Sequence, residues 1–138
     1  MSDITSTAKS AHAFKLVLIV DDDPFSQELF SEMLMSLGVT DVHTAGNGRV
    51  GLRTLAALPR QPDFLICDVF MPDMDGIEFL EALTKNGYQG GIILVSGQDI
   101  SMMAIAQEVA VADGLKMIGA YTKPVPIAVL AEALASLD

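Results

Sequence analysis

An α/β fold built on an open, doubly wound parallel sheet is what this sequence predicts, and three observations carry the prediction. Short apolar runs, Leu16-Val-Leu-Ile-Val20, Phe64-Leu-Ile-Cys67 and Gly91-Ile-Ile-Leu-Val95, are bounded by turn residues, as in strands covered on both faces. Segments with helical periodicity separate them. Four of the five predicted strands run directly into polar groups: Asp21-Asp22, Asp68, Ser96 and Lys123.

Taken in order, the first strand Leu16–Val20 ends in Asp21-Asp22-Asp23-Pro24. Proline suits the first helical position and Asp23 the N-cap before it. The helix that follows places Phe25, Leu29, Phe30, Met33, Leu34 and Leu37 on one stripe, and Gly38 stops it. A second strand is expected near Asp41–Ala45, then Gly46-Asn47-Gly48 and a helix carrying Val50, Leu52, Leu55 and Ala56. Pro59 and Pro62 bracket the turn into the third strand, which ends at Asp68. The third helix starts just after Asp75-Gly76, presents Ile77, Leu80 and Leu83, and ends near Asn86-Gly87. The fourth strand closes on Ser96-Gly97. A helix from about Ile100 to Asp113 leads through Gly114 to a fifth strand near Lys116–Tyr121, which Lys123-Pro124 ends. The last helix puts Ile127, Leu130, Ala131 and Leu134 on one face.

Five strands alternating with five helices call for right-handed crossovers and a sheet covered on both sides. The chain is too short for an eight-stranded barrel. A flavodoxin-like (βα)5 arrangement with strand order 2-1-3-4-5 is the expected topology.

Bulk properties narrow the function. The 138 residues suit one domain with one good core, and a hydrophobic fraction of 51% excludes a disordered chain. A net charge of −10 argues against nucleic acid or an anionic membrane as a direct partner. The single Cys67 has no internal disulfide partner, which suits a reducing compartment. Residues 1–14 lack the apolar core of a signal peptide and are expected to form a flexible polar tail. No apolar run approaches the roughly 18 residues a bilayer-spanning helix needs. A cytoplasmic location is the expectation.

In the order 2-1-3-4-5 the carboxyl ends of strands 1, 3, 4 and 5 are neighbours, and strands 1 and 3 flank the crevice where such sheets bind ligands. Asp21, Asp22 and Asp68 would repel one another there unless a cation intervened. An all-oxygen cluster suits a hard divalent ion, with Mg²⁺ favoured where phosphate also binds. Ser96 offers a hydroxyl and Lys123 a compact positive charge for phosphoryl oxygens. Asp68 needs no general base, because its carboxylate is already ionised and carboxylates act as phosphoryl acceptors.

The motifs Val-Leu-Ile-Val-Asp-Asp-Asp, Cys-Asp-Val-Phe-Met-Pro-Asp-Met-Asp-Gly, Leu-Val-Ser-Gly and Tyr-Thr-Lys-Pro, in that order, resemble receiver domains of two-component response regulators. The resemblance covers residues 15–138. It implies that Asp68 is the phosphoacceptor, supplied by a sensor histidine kinase or a histidine phosphotransfer protein. It also implies Mg²⁺ ligation by Asp22, Asp68 and the backbone carbonyl of Phe70, with Asp21 acting through water. Ser96 and Lys123 would contact the phosphoryl oxygens, and the Lys123–Pro124 peptide would be cis. Phe70 and Gln98, two residues after the phosphoacceptor and two after the serine, would modulate dephosphorylation. The output would be a changed surface around helix 4, strand 5 and helix 5, acting on an effector protein or output domain, with a homodimer as a further arrangement.

Such a protein is a switch that catalyses only its own phosphorylation and dephosphorylation, not an enzyme acting on other substrates. The chain stops after helix 5, so a single-domain regulator or an excised receiver is expected. An unphosphorylated pseudo-receiver scaffold is the alternative. A phosphatase of the haloacid dehalogenase type would want a second acid where Phe70 stands. One departure from the family pattern is Ala120. Receivers usually carry Tyr or Phe three residues before the lysine, and here Tyr121 comes one place late. Asp23 and Asp75 are read as caps, Asp73 as a turn residue, and Met102 and Met103 as core fillers or an exposed interface pair.

Overall fold

The structure, a computed structural model, describes residues 12, 14–71, 74–97 and 100–137. Its element order is β1 (Leu16–Val20), α1 (Pro24–Ser36), β2 (Asp41–Ala45), α2 (Gly48–Ala57), β3 (Phe64–Asp68), α3 (Gly76–Lys85), β4 (Gly91–Ser96), α4 (Ile100–Ala112), β5 (Lys116–Thr122) and α5 (Ile127–Ser136). The five strands are parallel in the order β2-β1-β3-β4-β5, as the sequence predicts. Most of the tail expected over residues 1–14 lies outside the described residues.

Strands β1, β3 and β4 are buried along their whole length, because helices cover both faces. On one face Leu18, Val20, Leu65, Cys67, Ile92 and Leu94 pack with Phe79, Leu80 and Leu83 of α3 and Met103, Ala106 and Ala110 of α4. On the other, Val17, Ile19, Phe64, Ile66, Ile93 and Val95 pack with Phe30 and Leu34 of α1 and Leu130, Ala133 and Leu134 of α5. Fully burying a Leu, Ile or Phe side chain contributes about 1.5–3 kcal/mol, so these two layers hold the sheet together.

The expected stripe on α1 needs correction. Phe30 and Leu34 are buried, but Phe25 is 70% exposed and Leu29 37%. Phe25 sits in the first turn, and the periodicity that grouped it with the core could not know where the sheet stops. Ile127 at the start of α5 is exposed for the same reason. Met103 is core, and Met102 packs against it half-buried. Among the described residues, the large apolar side chains that α4 exposes are instead Ile105 and Val111.

The pairing of β4 with β5 contains an irregularity. Ile92 pairs with Met117 but Ile93 pairs with Gly119, so Ile118 is one residue too many. A bulge of this kind reverses which face each later side chain meets. Ala120 therefore joins the α3–α4 face, and Tyr121 joins the α1–α5 face.

Candidate functional site

The carboxyl ends of the strands bring the predicted residues together, and local hydrogen bonding explains how. β1 continues one step beyond its last residue, with Asp21 N donating to Ala45 O at 3.0 Å. The chain then turns into α1. Asp23 caps that helix, accepting from Phe25 N at 3.0 Å and from Ser26 Oγ at 3.1 Å. Asp21 Oδ1 accepts from Asp23 N at 2.9 Å, which folds the first carboxylate back over its own loop.

Asp68 ends β3. Its Oδ1 accepts from Phe70 N at 2.9 Å, a turn in which the side chain satisfies the next peptide but one. The loop beyond it is drawn in tightly, with Gly76 N donating to Val69 O at 3.0 Å. A Cβ at residue 76 would lie 2.8 Å from Val69 Cα, so only glycine lets α3 start against the end of β3. Asp75 caps α3 through Glu78 N at 2.9 Å, as expected. Ser96 ends β4, buried, and its carbonyl accepts from Lys123 N at 2.9 Å. That bond ties the tips of β4 and β5 together. The Lys123–Pro124 peptide is cis.

Lys123 reaches across the crevice. Its Nζ lies 2.8 Å from Asp21 Oδ2 and 3.0 Å from Asp68 Oδ2. The contact with Asp68 is a hydrogen bond, whereas Asp21 Oδ2 is buried without an aligned donor among the described residues. Asp21, Asp22 and Asp68 each offer an oxygen, and these three oxygens lie within 4.8 Å of one another. Asp21 and Asp68 are buried and Asp22 is exposed. A buried carboxylate with one oxygen outside any aligned hydrogen bond, grouped with two further carboxylates, fits a hard divalent cation such as Mg²⁺.

Electrostatics follow the burial. Desolvation raises the pKa of Asp68 above the ordinary carboxylate value, outweighing the Phe70 N–H and the Lys123 charge, which lower it; Asp21 adds to the rise. Burial works against the Lys123 ammonium, but its short contacts with Asp21 and Asp68 prevail, and its pKa rises. Lys123 is therefore a fixed positive charge at neutral pH. Burial pushes the Cys67 thiol far up, so the sulfur behind Asp68 stays protonated and belongs to the core.

The cleft holds about 530 Å³ and is lined by Asp22, Asp23, Asp68, Phe70, Met71, Gly97 and Lys123. Phe70 stands at its rim, 36% exposed. Gln98 and Asp73, both singled out in the sequence, lie outside the described residues. Sequence reasoning missed Gln27, whose Nε2 donates to Asp21 O at 2.7 Å. A lone amide in a first helical turn gives no signal that it faces inward.

Comparison with known proteins agrees with this geometry. A family model described as the response regulator receiver domain matches residues 17–135. The chain is 38% identical over 92 residues to the probable C4-dicarboxylate response regulator DctR of Bacillus subtilis (strain 168), covering 63% of this chain and 40% of that protein. It is 33% identical over 102 residues to the Regulator of RpoS of Escherichia coli (strain K12), covering 73% of this chain and 29% of that one. The chain thus spans less than half the length of these two relatives. A crystal structure of a response regulator from Colwellia psychrerythraea superimposes with a TM-score of 0.73 at 32% identity, covering 89% of this chain and 95% of that one. The chemotaxis protein CheY4 of Vibrio cholerae gives 0.74 at 27% identity, covering 91% and 100%. With the strand order, the acidic cluster and a family match over nearly its whole length, this chain belongs to the response regulator receiver domains of two-component systems.

Proposed function

We propose that Asp68 accepts a phosphoryl group from a histidine kinase or histidine phosphotransfer protein, and that residues 15–138 form the unit that does so. One observation carries the reading: Asp68 sits at the end of β3 with Lys123 Nζ 3.0 Å from one oxygen and two further carboxylates within 4.8 Å. A carboxylate flanked by a cation site and a fixed ammonium is suited to phosphoryl transfer.

Asp22, Asp68 and the backbone carbonyl of Phe70 would hold Mg²⁺, with Asp21 acting through water. When bound, the ion offsets the charge of the crowded carboxylates and of the incoming phosphoryl group. An oxygen of Asp68 attacks phosphorus, the new O–P bond forms, and the donor's P–N bond breaks. The electron pair leaves with the donor imidazole, which then takes up a proton. Lys123 transfers its contact from Asp68 to a phosphoryl oxygen, and Ser96 supplies a second polar contact. Phe70 and Gln98 modulate the return of water. The phosphorylated form shifts a pre-existing equilibrium, with effector proteins or an output domain reading the α4–β5–α5 surface.

No helix among the described residues is long and apolar enough to cross a membrane. A cytoplasmic location, where such donors act, belongs to the same proposal.

The test is intact-mass measurement after incubation with Mg²⁺ and a small phosphodonor. One added phosphoryl group is expected, lost in Asp68→Asn and in Asp22→Ala, and lost in EDTA. Labelling that persists in EDTA would sink the proposal. An unlabelled but partner-binding protein would favour the pseudo-receiver scaffold, and multiple-turnover release of phosphate from small esters would favour a phosphatase.

A further inference from the structure

We infer that Gln27, in the first turn of α1, is a positioning residue that aims the acidic loop and so sets its affinity for a divalent cation. The inference rests on the reading above that this loop holds Mg²⁺.

Asp21 is hydrogen-bonded at three of its four polar atoms, and the fourth, Oδ2, lies beside the Lys123 ammonium. Its N donates to Ala45 O, its Oδ1 accepts from Asp23 N, and its Oδ2 lies 2.8 Å from Lys123 Nζ. Its carbonyl oxygen accepts from Gln27 Nε2 at 2.7 Å, a short bond in a half-buried setting. The strand ladder explains why a side chain is needed there. β2 stops pairing with β1 at Ala45, so no following strand residue serves the Asp21 carbonyl. Gln27 takes that place, with its Nε2 beside Gly46.

The Asp21 carbonyl belongs to the peptide plane that joins Asp21 to Asp22. A peptide unit is rigid, so fixing its oxygen fixes the direction in which the chain enters Asp22. Asp22 is the exposed member of the trio. Without Gln27, rotation about the bonds flanking that plane would spread the Asp22 carboxylate over positions off the Asp68 oxygens. Gln27 is not required as a cap, because Asp23, held by the Ser26 hydroxyl, already accepts from Phe25 N at the helix N-terminus. Residues one step behind metal ligands typically change metal affinity 10–100-fold when removed. A neutral amide bond to a carbonyl belongs at the lower end.

The experiment is calorimetric Mg²⁺ titration of wild type, Gln27→Ala and Gln27→Met, with melting temperatures taken alongside. Methionine keeps the shape and removes the donor. Both variants are expected to bind Mg²⁺ about tenfold more weakly. Their labelling rate by a small phosphodonor should return close to wild type at saturating Mg²⁺, a recovery that a damaged fold would not show. Affinity within twofold of wild type, with only the melting temperature lowered, would overturn the inference. If Gln27→Ala does not fold, the same comparison on Gln27→Met decides. Absence of Mg²⁺ binding in wild type would instead defeat the underlying reading of the site, and this inference with it.

Discussion

Ala120 and Tyr121, adjacent in β5, face opposite layers of the protein. Ala120 packs against the core layer that includes α3 and α4, while Tyr121 packs against the layer that includes α1 and α5. The Tyr121 ring near the end of β5 is therefore turned away from α4. A change at the site that reaches α4 is expected to pass by Ser96 and the small side chain of Ala120.

With no ring moving at Ala120, the segment from Ile100 to Met117 is expected to carry the response. Hydrogen exchange with and without a phosphoryl mimic should show altered protection across α4. Unchanged exchange there, with α1 responding instead, would contradict this route.

Tyr121 also lies back over Gly119. A Cβ at residue 119 would come within 2.7 Å of the Tyr121 ring and hydroxyl. Gly119→Ala should destabilise the fold by about 1–3 kcal/mol through overpacking. Adding Tyr121→Ala should recover part of that loss. Chemical denaturation of the two single variants and the double variant measures the coupling, and strict additivity would show that the ring does not enforce the glycine.

The raised pKa of Asp68 predicts a pH-dependent cost. Its native value exceeds the unfolded one, so the folded state holds this proton more tightly. The group then favours folding most below the ordinary carboxylate value of about 3.9. Its contribution falls as pH rises from there through the raised native pKa, and above that the ionised carboxylate is a constant penalty. Without Mg²⁺, Asp68→Asn is expected to melt higher than wild type at pH 7, with the gap shrinking toward pH 4. Saturating Mg²⁺ should reduce or reverse the gap at pH 7. An Asp68→Asn variant that melts lower than wild type at pH 7 in EDTA would show that Lys123 more than repays the burial.

Phe70 at the rim of the cleft predicts slow loss of the phosphoryl group. Water must arrive in line with the bond between Asp68 and phosphorus, and a phenyl ring neither binds nor passes it. Phe70→Asn should speed dephosphorylation several-fold, and each tenfold reflects only about 1.4 kcal/mol. Decay of the labelled protein at saturating Mg²⁺ gives the rate. An unchanged rate would remove Phe70 from the path of the water.

The order of elements and the identity of the acidic constellation were determined by the sequence itself. Apolar runs ending in Asp21, Asp68, Ser96 and Lys123 are local signals, and the requirement for right-handed crossovers turns them into one sheet edge. Caps at Asp23 and Asp75 were legible for the same reason, since a cap is a contact between residues two or three apart. What only the tertiary structure decided are pairings between distant segments. Strict alternation along β5 would put Met117 and Tyr121 on one face; the extra residue Ile118, set by pairing with β4, puts them on opposite ones. Periodicity placed Phe25 and Ile127 in the core, but burial depends on how far the sheet extends beneath each helix. Gln27 became visible only once β2 stopped pairing with β1 and left the Asp21 carbonyl to be satisfied by a residue from α1.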